Sequence, residues 1–387
     1  MPSDRLFGPS LTTPAMAAAV SDTSWLAAML SFEAALASVQ ARLGLIPPDA
    51  AFVIAAACDP QRFDIEAIGQ QAAASASPVV SIVDALREDV GGNEARFVHY
   101  GATSQDVLDT AMMLVSRGAL DLVLADLSQL ASECAGLAER HRDTPMAGRT
   151  LLQQARPITF GYKAAMWLMG VLDARRGLAP IRRDRLAIQL GGPVGTLDSF
   201  GPLAPELIAG LAQELGLVEP VLPWHSTRGR IAELGSGLAI AAGAAAKVAL
   251  DLCLLAQTEV GEVSEAAGGR SSAMPHKRNP ARAVEARAAS AGVTAQAAVL
   301  HAAQAGEHER SAGAWQSEWP ALSEAFRLAA GAVGRTREAL TGLQVHPGRM
   351  RENLARLEGS AESADLTSAQ VLVDRALSIY RDEEAIR

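Results

Sequence analysis

Aromatic side chains are scarce: they make up 4% of the 387 residues, although the hydrophobic fraction is 49%. Much of the apolar content is alanine, the strongest helix former, which favours helices over strands. No stretch alternates apolar and polar residues over any length, so a doubly wound α/β fold is not expected. Cysteine is nearly absent. Cys58, Cys134 and Cys253 are far apart with no CxxC, and they read as reduced residues of a cytoplasmic protein, not as disulfides or ligands. Metal spacings such as HExxH are missing, as are the P-loop and dinucleotide patterns, so no metal, nucleotide or flavin cofactor is expected. Positive charge is also in deficit. A net charge of −9 disfavours an extended nucleic-acid or anionic-membrane surface, while leaving room for a small anion held by a few converging basic residues. Residues Met1 to Leu11 lack a basic-then-apolar leader pattern. The longest apolar stretch, Leu234 to Gln257, is broken by Lys247 and Asp251, which suits a buried bundle helix better than a membrane span.

What remains is helix. Ser24 to Leu43 follows the cap-rich Ser21-Asp22-Thr23 and stops before Gly44 and Pro47-Pro48. Further helical runs cover Gln105 to His141, Thr159 to Ala187, Arg230 to Glu262, Pro280 to Gln304 and Leu322 to Leu343. Helices this long can bury their apolar faces only against one another or against neighbouring subunits. The expected organisation is all-α: an N-terminal helical domain over 1–104, a central long-helix bundle over 105–343 and a short C-terminal segment over 344–387. A last helical piece is expected from Ser368 to Tyr380, in a tail that begins at Glu358.

Chemistry gathers in the connections between the helices. Gly268-Gly269-Arg270-Ser271-Ser272-Ala273-Met274-Pro275-His276-Lys277-Arg278-Asn279-Pro280 cannot form a regular helix and crowds basic side chains, an Asn and two hydroxyls into one loop. It suits an anion held by Lys277 and Asn279 with a serine beside it; the plain alternative is a solvated basic turn. A second segment, His99-Tyr100-Gly101-Ala102-Thr103-Ser104-Gln105-Asp106, opens a long helix. Ser104 is expected to cap that helix, and a helix N-terminus carrying hydroxyls is itself an anion site. The third segment is Gly148-Arg149-Thr150-Leu151-Leu152-Gln153-Gln154-Ala155-Arg156-Pro157-Ile158-Thr159.

These segments resemble, in order, the GSSxMPxKxNP loop, the HxGxTSxD stretch and the GRTxxQxAxPxT region of the fumarase/aspartase superfamily. Leu151 departs from the pattern. Fumarases, argininosuccinate lyases and adenylosuccinate lyases carry His there, and Leu has no proton to give. Thr150-Leu151-Leu152-Gln153-Gln154, together with Pro223 to Arg230 and Glu307 to Trp319, resembles the 3-carboxy-cis,cis-muconate cycloisomerase branch. The resemblance spans about Phe7 to Asn353.

The resemblance implies a cofactor-free helical homotetramer with sites shared between subunits. The implied reaction is reversible lactonisation of 3-carboxy-cis,cis-muconate to 4-carboxymuconolactone in protocatechuate breakdown. Ser271 is the expected proton-transfer residue and Lys277 its electrostatic partner. Thr103, Ser104, Asn279, Gln153, Arg149, His225, Arg228, His99 and His276 are expected around the substrate. Of these, His99 and His276 can equally brace their loops. Glu265 reads as structural or catalytic, and Trp315 and Trp319 as packing against a helix. Another lyase of the superfamily, adenylosuccinate lyase foremost, and a non-catalytic helical scaffold are the competing readings.

Overall fold

The computed structural model describes residues 6–356 and 365–386. Short helices α1 (Gly8–Leu11) and α2 (Pro14–Ala19) lead into α3 (Asp22–Arg42), whose first amides are met by the Ser21 hydroxyl accepting from Ser24 N–H at 3.2 Å. Helix α3 ends where Gly44 takes a left-handed φ of 73°. Helices α4 (Pro48–Ala57), α5 (Ile65–Ser75) and α6 (Pro78–Val90) complete the N-terminal part, with proline in the first turn of α4 and α6.

Then come the long helices: α7 (Ser104–Arg140), α8 (Phe160–Asp184), the shorter α9 (Ala204–Leu215), α10 (Gly229–Leu255), α11 (Ala281–Ala302) and α12 (Ala314–Leu340). The expectation of an all-helical bundle holds, with shifted ends. Helix α10 stops at Leu255, not Glu262, because the chain turns back through Gly261 at φ 61° and Glu262 N–H bonds Leu255 O. Helix α12 starts eight residues earlier than expected, at Ala314, because Pro320 lies inside it without ending it.

Alanine and glycine let these helices approach closely. A Cβ on Gly235 of α10 would lie 2.8 Å from Leu300 of α11, and one on Gly292 of α11 would lie 2.7 Å from Leu328 of α12. Among the described residues, α10 is the one helix long and apolar enough to cross a membrane, and half of its most apolar stretch is buried inside this chain. The two charges that interrupt it pair with each other: Lys247 Nζ donates to Asp251 at 2.6 Å, and Asp251 also accepts from Trp167 Nε1 at 2.7 Å.

The sequence showed no strand, yet β1 (Pro145–Thr150) and β2 (Gln153–Thr159) form an antiparallel hairpin. Its two-residue turn is Leu151-Leu152, at φ 51° and 68°. That conformation normally selects Asn or Gly, so the sequence carried no hairpin signal. A bulge interrupts the register after Ala147, and Gly148 is required there because a Cβ would lie 2.8 Å from the Arg156 carbonyl.

Two-residue strands β3 (Val263–Ser264), β4 (Gly269–Arg270), β5 (Arg278–Asn279) and β6 (Gln344–Val345) pair as β3–β6 and β4–β5. Helix α13 (Pro347–Ala355) packs on the hairpin. Helix α14 (Thr367–Ile386), longer than expected, lies on α8; Arg142, just past the end of α7, clamps Asp374 at 2.7 Å, and Arg175 of α8 meets Glu383 at 2.7 Å. Of the tail expected from Glu358 onward, residues 358–364 lie outside the described residues.

Candidate active site

The three motif segments do not meet within one chain. Helix α7 begins in the His99 to Asp106 segment and ends just before the hairpin that carries the Gly148 to Thr159 segment; its 37 residues make it about 55 Å long at 1.5 Å per residue. The network of contacts fixes which segments share an end. At the α7 N-terminus lie His99 to Asp106, the turn at Gly191 and Gly192, His225, Arg228 and the loop around Arg310. At the other end lie the hairpin, Glu262, the serine-containing loop and α13.

The first end is built around buried acids. Asp106, wholly buried, accepts from Thr103 N–H at 3.0 Å, from the Gly191 and Gly192 amides at 2.9 Å each, and from His225 Nε2 at 2.7 Å. Thr103, not Ser104, is the residue before the first helical one, and Asp106 reaches back to its amide in the manner of a capping box. The Thr103 hydroxyl accepts from Arg310 Nη2 at 2.9 Å, and Arg310 also donates to the Pro193 carbonyl at 3.1 Å. Arg310 Nε is buried without a partner. A helix N-terminus, two hydroxyls and a guanidinium with a spare donor can hold a carboxylate.

Two expected substrate ligands at this end are spoken for. Arg228 is 1% exposed and donates to Asp109 at 2.6 and 3.0 Å and to Glu318 at 3.0 Å, with a second Glu318 contact from Nη2. His225 is 4% exposed, with Nε2 on Asp106 and its carbonyl accepting from Gln105. Each is committed to buried carboxylates, His225 to Asp106 and Arg228 to Asp109 and Glu318, so the expectation that they contact substrate is corrected to support of the site. Trp315 joins the same cluster, donating Nε1 to Asp109 at 2.9 Å and meeting Trp319 edge-on at 4.8 Å. Asp106, Asp109, Glu318 and Arg310 had no assigned role in the sequence. The signal that could have found the first two is their spacing, three apart on one helix face.

At the second end Arg149 is likewise committed, as a bidentate partner at 2.9 and 2.7 Å of Glu262, a wholly buried acid that Asn353 also contacts at 2.9 Å. The expectation that Arg149 contacts substrate is corrected on the same ground. Gln153 and the tip leucines, by contrast, face solvent, Leu151 being 97% exposed.

The serine-containing loop is pinched at its base by β4–β5, which sets Ser271 and Lys277 at the two ends of one short excursion. Ser272, His276 and Lys277 are exposed, and Ser271 and Asn279 half-buried. Ser271 Oγ accepts from the amides of Ala273 at 3.3 Å and Met274 at 3.1 Å. Hydrogen bonds to an oxygen favour its anionic form. Glu265 serves the backbone, its carboxylate accepting from the Arg282 and Ala283 amides at 3.2 and 2.9 Å, at the start of α11. Among the described residues no three His, Cys, Asp or Glu side chains are grouped to hold a metal ion.

Comparison with known proteins agrees with this fold. A family model described as "Lyase" matches residues 10–295. Nitrosuccinate lyase of Streptomyces davaonensis is 46% identical over 376 residues, 94% of this chain and 77% of that protein. The 3-carboxy-cis,cis-muconate cycloisomerase of Bradyrhizobium diazoefficiens is 44% identical over 370 residues, 94% of this chain and 82% of that protein. The crystal structure of 3-carboxy-cis,cis-muconate lactonizing enzyme from Pseudomonas putida superposes with a TM-score of 0.89 at 38% identity, covering 98% of this chain and 89% of that one. With its long-helix bundle, its three motif segments and a family match over most of its length, the chain belongs to the lyase family, within the fumarase/aspartase superfamily.

Proposed function

We propose that this protein catalyses the reversible lactonisation of 3-carboxy-cis,cis-muconate to 4-carboxymuconolactone, in the cytoplasm, as a homotetramer. The observation that carries the reading is a complete set of superfamily motif segments in a chain 44% identical to a cycloisomerase, with leucine where other superfamily members place an acid. Lactonisation needs no second acid. One substrate carboxylate adds to the β carbon of a double bond conjugated with another carboxylate, and the electron pair moves onto that second carboxylate. A proton then passes to the α carbon, so a trianion becomes a dianionic lactone; each forward turnover consumes one proton from solvent, which restores the donor, and no water is added. Ser271 supplies that proton and recovers it in reverse. Lys277, Asn279, Thr103 and Ser104 hold the growing charge, with Arg310 added from the geometry and Gln153 from the hairpin.

The same geometry supports an assembly of several copies. Apolar side chains face outward on the bundle helices, among them Met166 on α8, Ile240 on α10 and Val284 on α11, each at least half exposed. The segments needed for one site also stand at opposite ends of one chain, which supports the reading that neighbouring copies complete each site. A Thr103→Val variant and a Ser271→Ala variant, each inactive alone, should therefore rescue one another when dissociated and reassembled together. About one quarter of sites in a random tetramer would receive both intact segments. Absence of any rescue in assemblies shown to be mixed would mean that one chain builds its own site.

The assay that tests the reaction follows loss of the conjugated diene of carboxymuconate, alongside adenylosuccinate and nitrosuccinate. Turnover of adenylosuccinate alone would sink the proposal. A second reading, β-elimination of nitrite from nitrosuccinate, is favoured by the 46% identity to nitrosuccinate lyase. It uses the same α-proton transfer and the same charge-stabilising contacts, and is recognised by nitrite release.

A further inference from the structure

The His99 to Asp106 segment pairs a histidine with a buried acid on α3. His99 Nδ1 lies 2.6 Å from Glu33 Oε1, and Glu33, on α3, is 1% exposed. The other carboxylate oxygen, Oε2, is buried without a partner. A buried acid left half-satisfied is costly unless the contact it does make is needed. His99 is itself held in the left-handed region at φ 61°, uncommon for a non-glycine residue, within a turn fixed on its far side by Gln40 Nε2 donating to the Tyr100 carbonyl at 2.7 Å. Because Nδ1 is taken by Glu33, Nε2 is the ring nitrogen left for another partner, and the His99 side chain keeps 13% of its surface exposed. Four residues along the chain stands Thr103, already engaged by Arg310.

We infer that Glu33 is a positioning residue: its buried carboxylate locks the His99 ring with Nδ1–H inward, so that Nε2–H is presented as a fixed donor to a substrate carboxylate beside Thr103. The inference rests on the polycarboxylate site proposed above and deepens it. It also says why a cation can persist there without Arg228 or His225. Burial pulls the His99 pKa down, but the Glu33 charge and hydrogen bond more than reverse this. Asp106 adds to the rise, Arg87 opposes it, and the net pKa lies above the ordinary imidazole value. Cys58, which also feels Glu33, is pushed up to about 12, first by burial and then by that same carboxylate, so it stays neutral and does not compete for the charge.

The sign of the effect follows. Removing the Glu33 charge lowers the pH at which His99 loses its proton, so Glu33→Gln should act most strongly between the variant's midpoint and that of the wild type. Hydrogen–deuterium exchange at the imidazole C2 position, resolved by peptide mass spectrometry, reports that midpoint for His99 without any turnover. Glu33→Gln should lower it by about one pH unit or more, and Glu33→Asp by less. The pH profile of kcat/KM, on whichever polycarboxylate the wild type converts, should shift its His99 limb by the same amount. In the wild type alone, saturating tricarballylate, an unreactive tricarboxylate, should raise the His99 midpoint. That arm needs neither a variant nor the lactonisation reaction, so it separates failure of this inference from failure of the proposed activity. An unmoved midpoint in Glu33→Gln, a moved midpoint with a fixed kcat/KM limb, or no response of the wild-type ring to tricarballylate would each overturn it.

Discussion

Replacing Ser271 with Ala should lower kcat by about 10²–10⁴-fold, the range expected when a positioned proton-transfer group is removed, while carboxymuconate still binds. A serine hydroxyl is a poor acid and its alkoxide a strong base, so the role demands surroundings that stabilise negative oxygen. The loop contributes two amides, Ala273 and Met274, that already donate to Ser271 Oγ. The β4–β5 pairing places Lys277 on the returning arm of the same excursion. Ser272, next in sequence but exposed, makes neither contact, and Ser272→Ala should cost far less. Stopped-flow turnover with separate measurement of substrate affinity decides between them. Equal losses in the two variants, or near wild-type turnover by Ser271→Ala, would move proton transfer to another residue, with His99 first to be tested.

The second large effect is on stability. Replacing Arg228 with Leu should destabilise the fold by about 3–5 kcal/mol, because it strands two buried carboxylates, Asp109 and Glu318, that share one guanidinium. The loss should depend on pH. In the native protein burial already pushes the Glu318 carboxyl above its ordinary range, and Arg228 opposes this. Without the arginine that rise grows, so the folded variant holds a proton that the unfolded chain releases at neutral pH. Folding then binds protons. The stability of Arg228→Leu should therefore improve as pH falls from 8 toward 5, until the unfolded carboxylates protonate as well. Urea unfolding at several pH values checks this; a deficit that does not change with pH would mean the two acids are solvated in the variant. Since Asp109 also receives Trp315 Nε1, tryptophan fluorescence gives a local readout of the same cluster.

Much of this protein could be read from its order of residues. Alanine-rich runs of helical period, bounded by Ser21, Thr159 and Gly44, determine the long helices and hence the bundle, because capping and periodicity act over a few residues. The three motif segments and their family were also legible, since a loop of Gly, Ser, Pro, Lys and Asn is a local pattern. What the sequence could not decide was the use of each charged side chain. Arg149, Arg228 and His225 have the chemistry of substrate ligands, and their residue types are identical whether they face an anion or a buried acid. Only the folded chain brings Glu262 to Arg149, Asp109 and Glu318 to Arg228, and Asp106 to His225, across separations of about a hundred residues. The hairpin was hidden for a related reason: its turn places two leucines at positive φ, a cost that local preference argues against and that cross-strand pairing offsets. The pairing of Glu33 with His99, 66 residues apart, belongs to the same class. Local sequence sets backbone conformation, whereas the partner of a buried charge is set by whichever opposite group the packing of distant helices delivers.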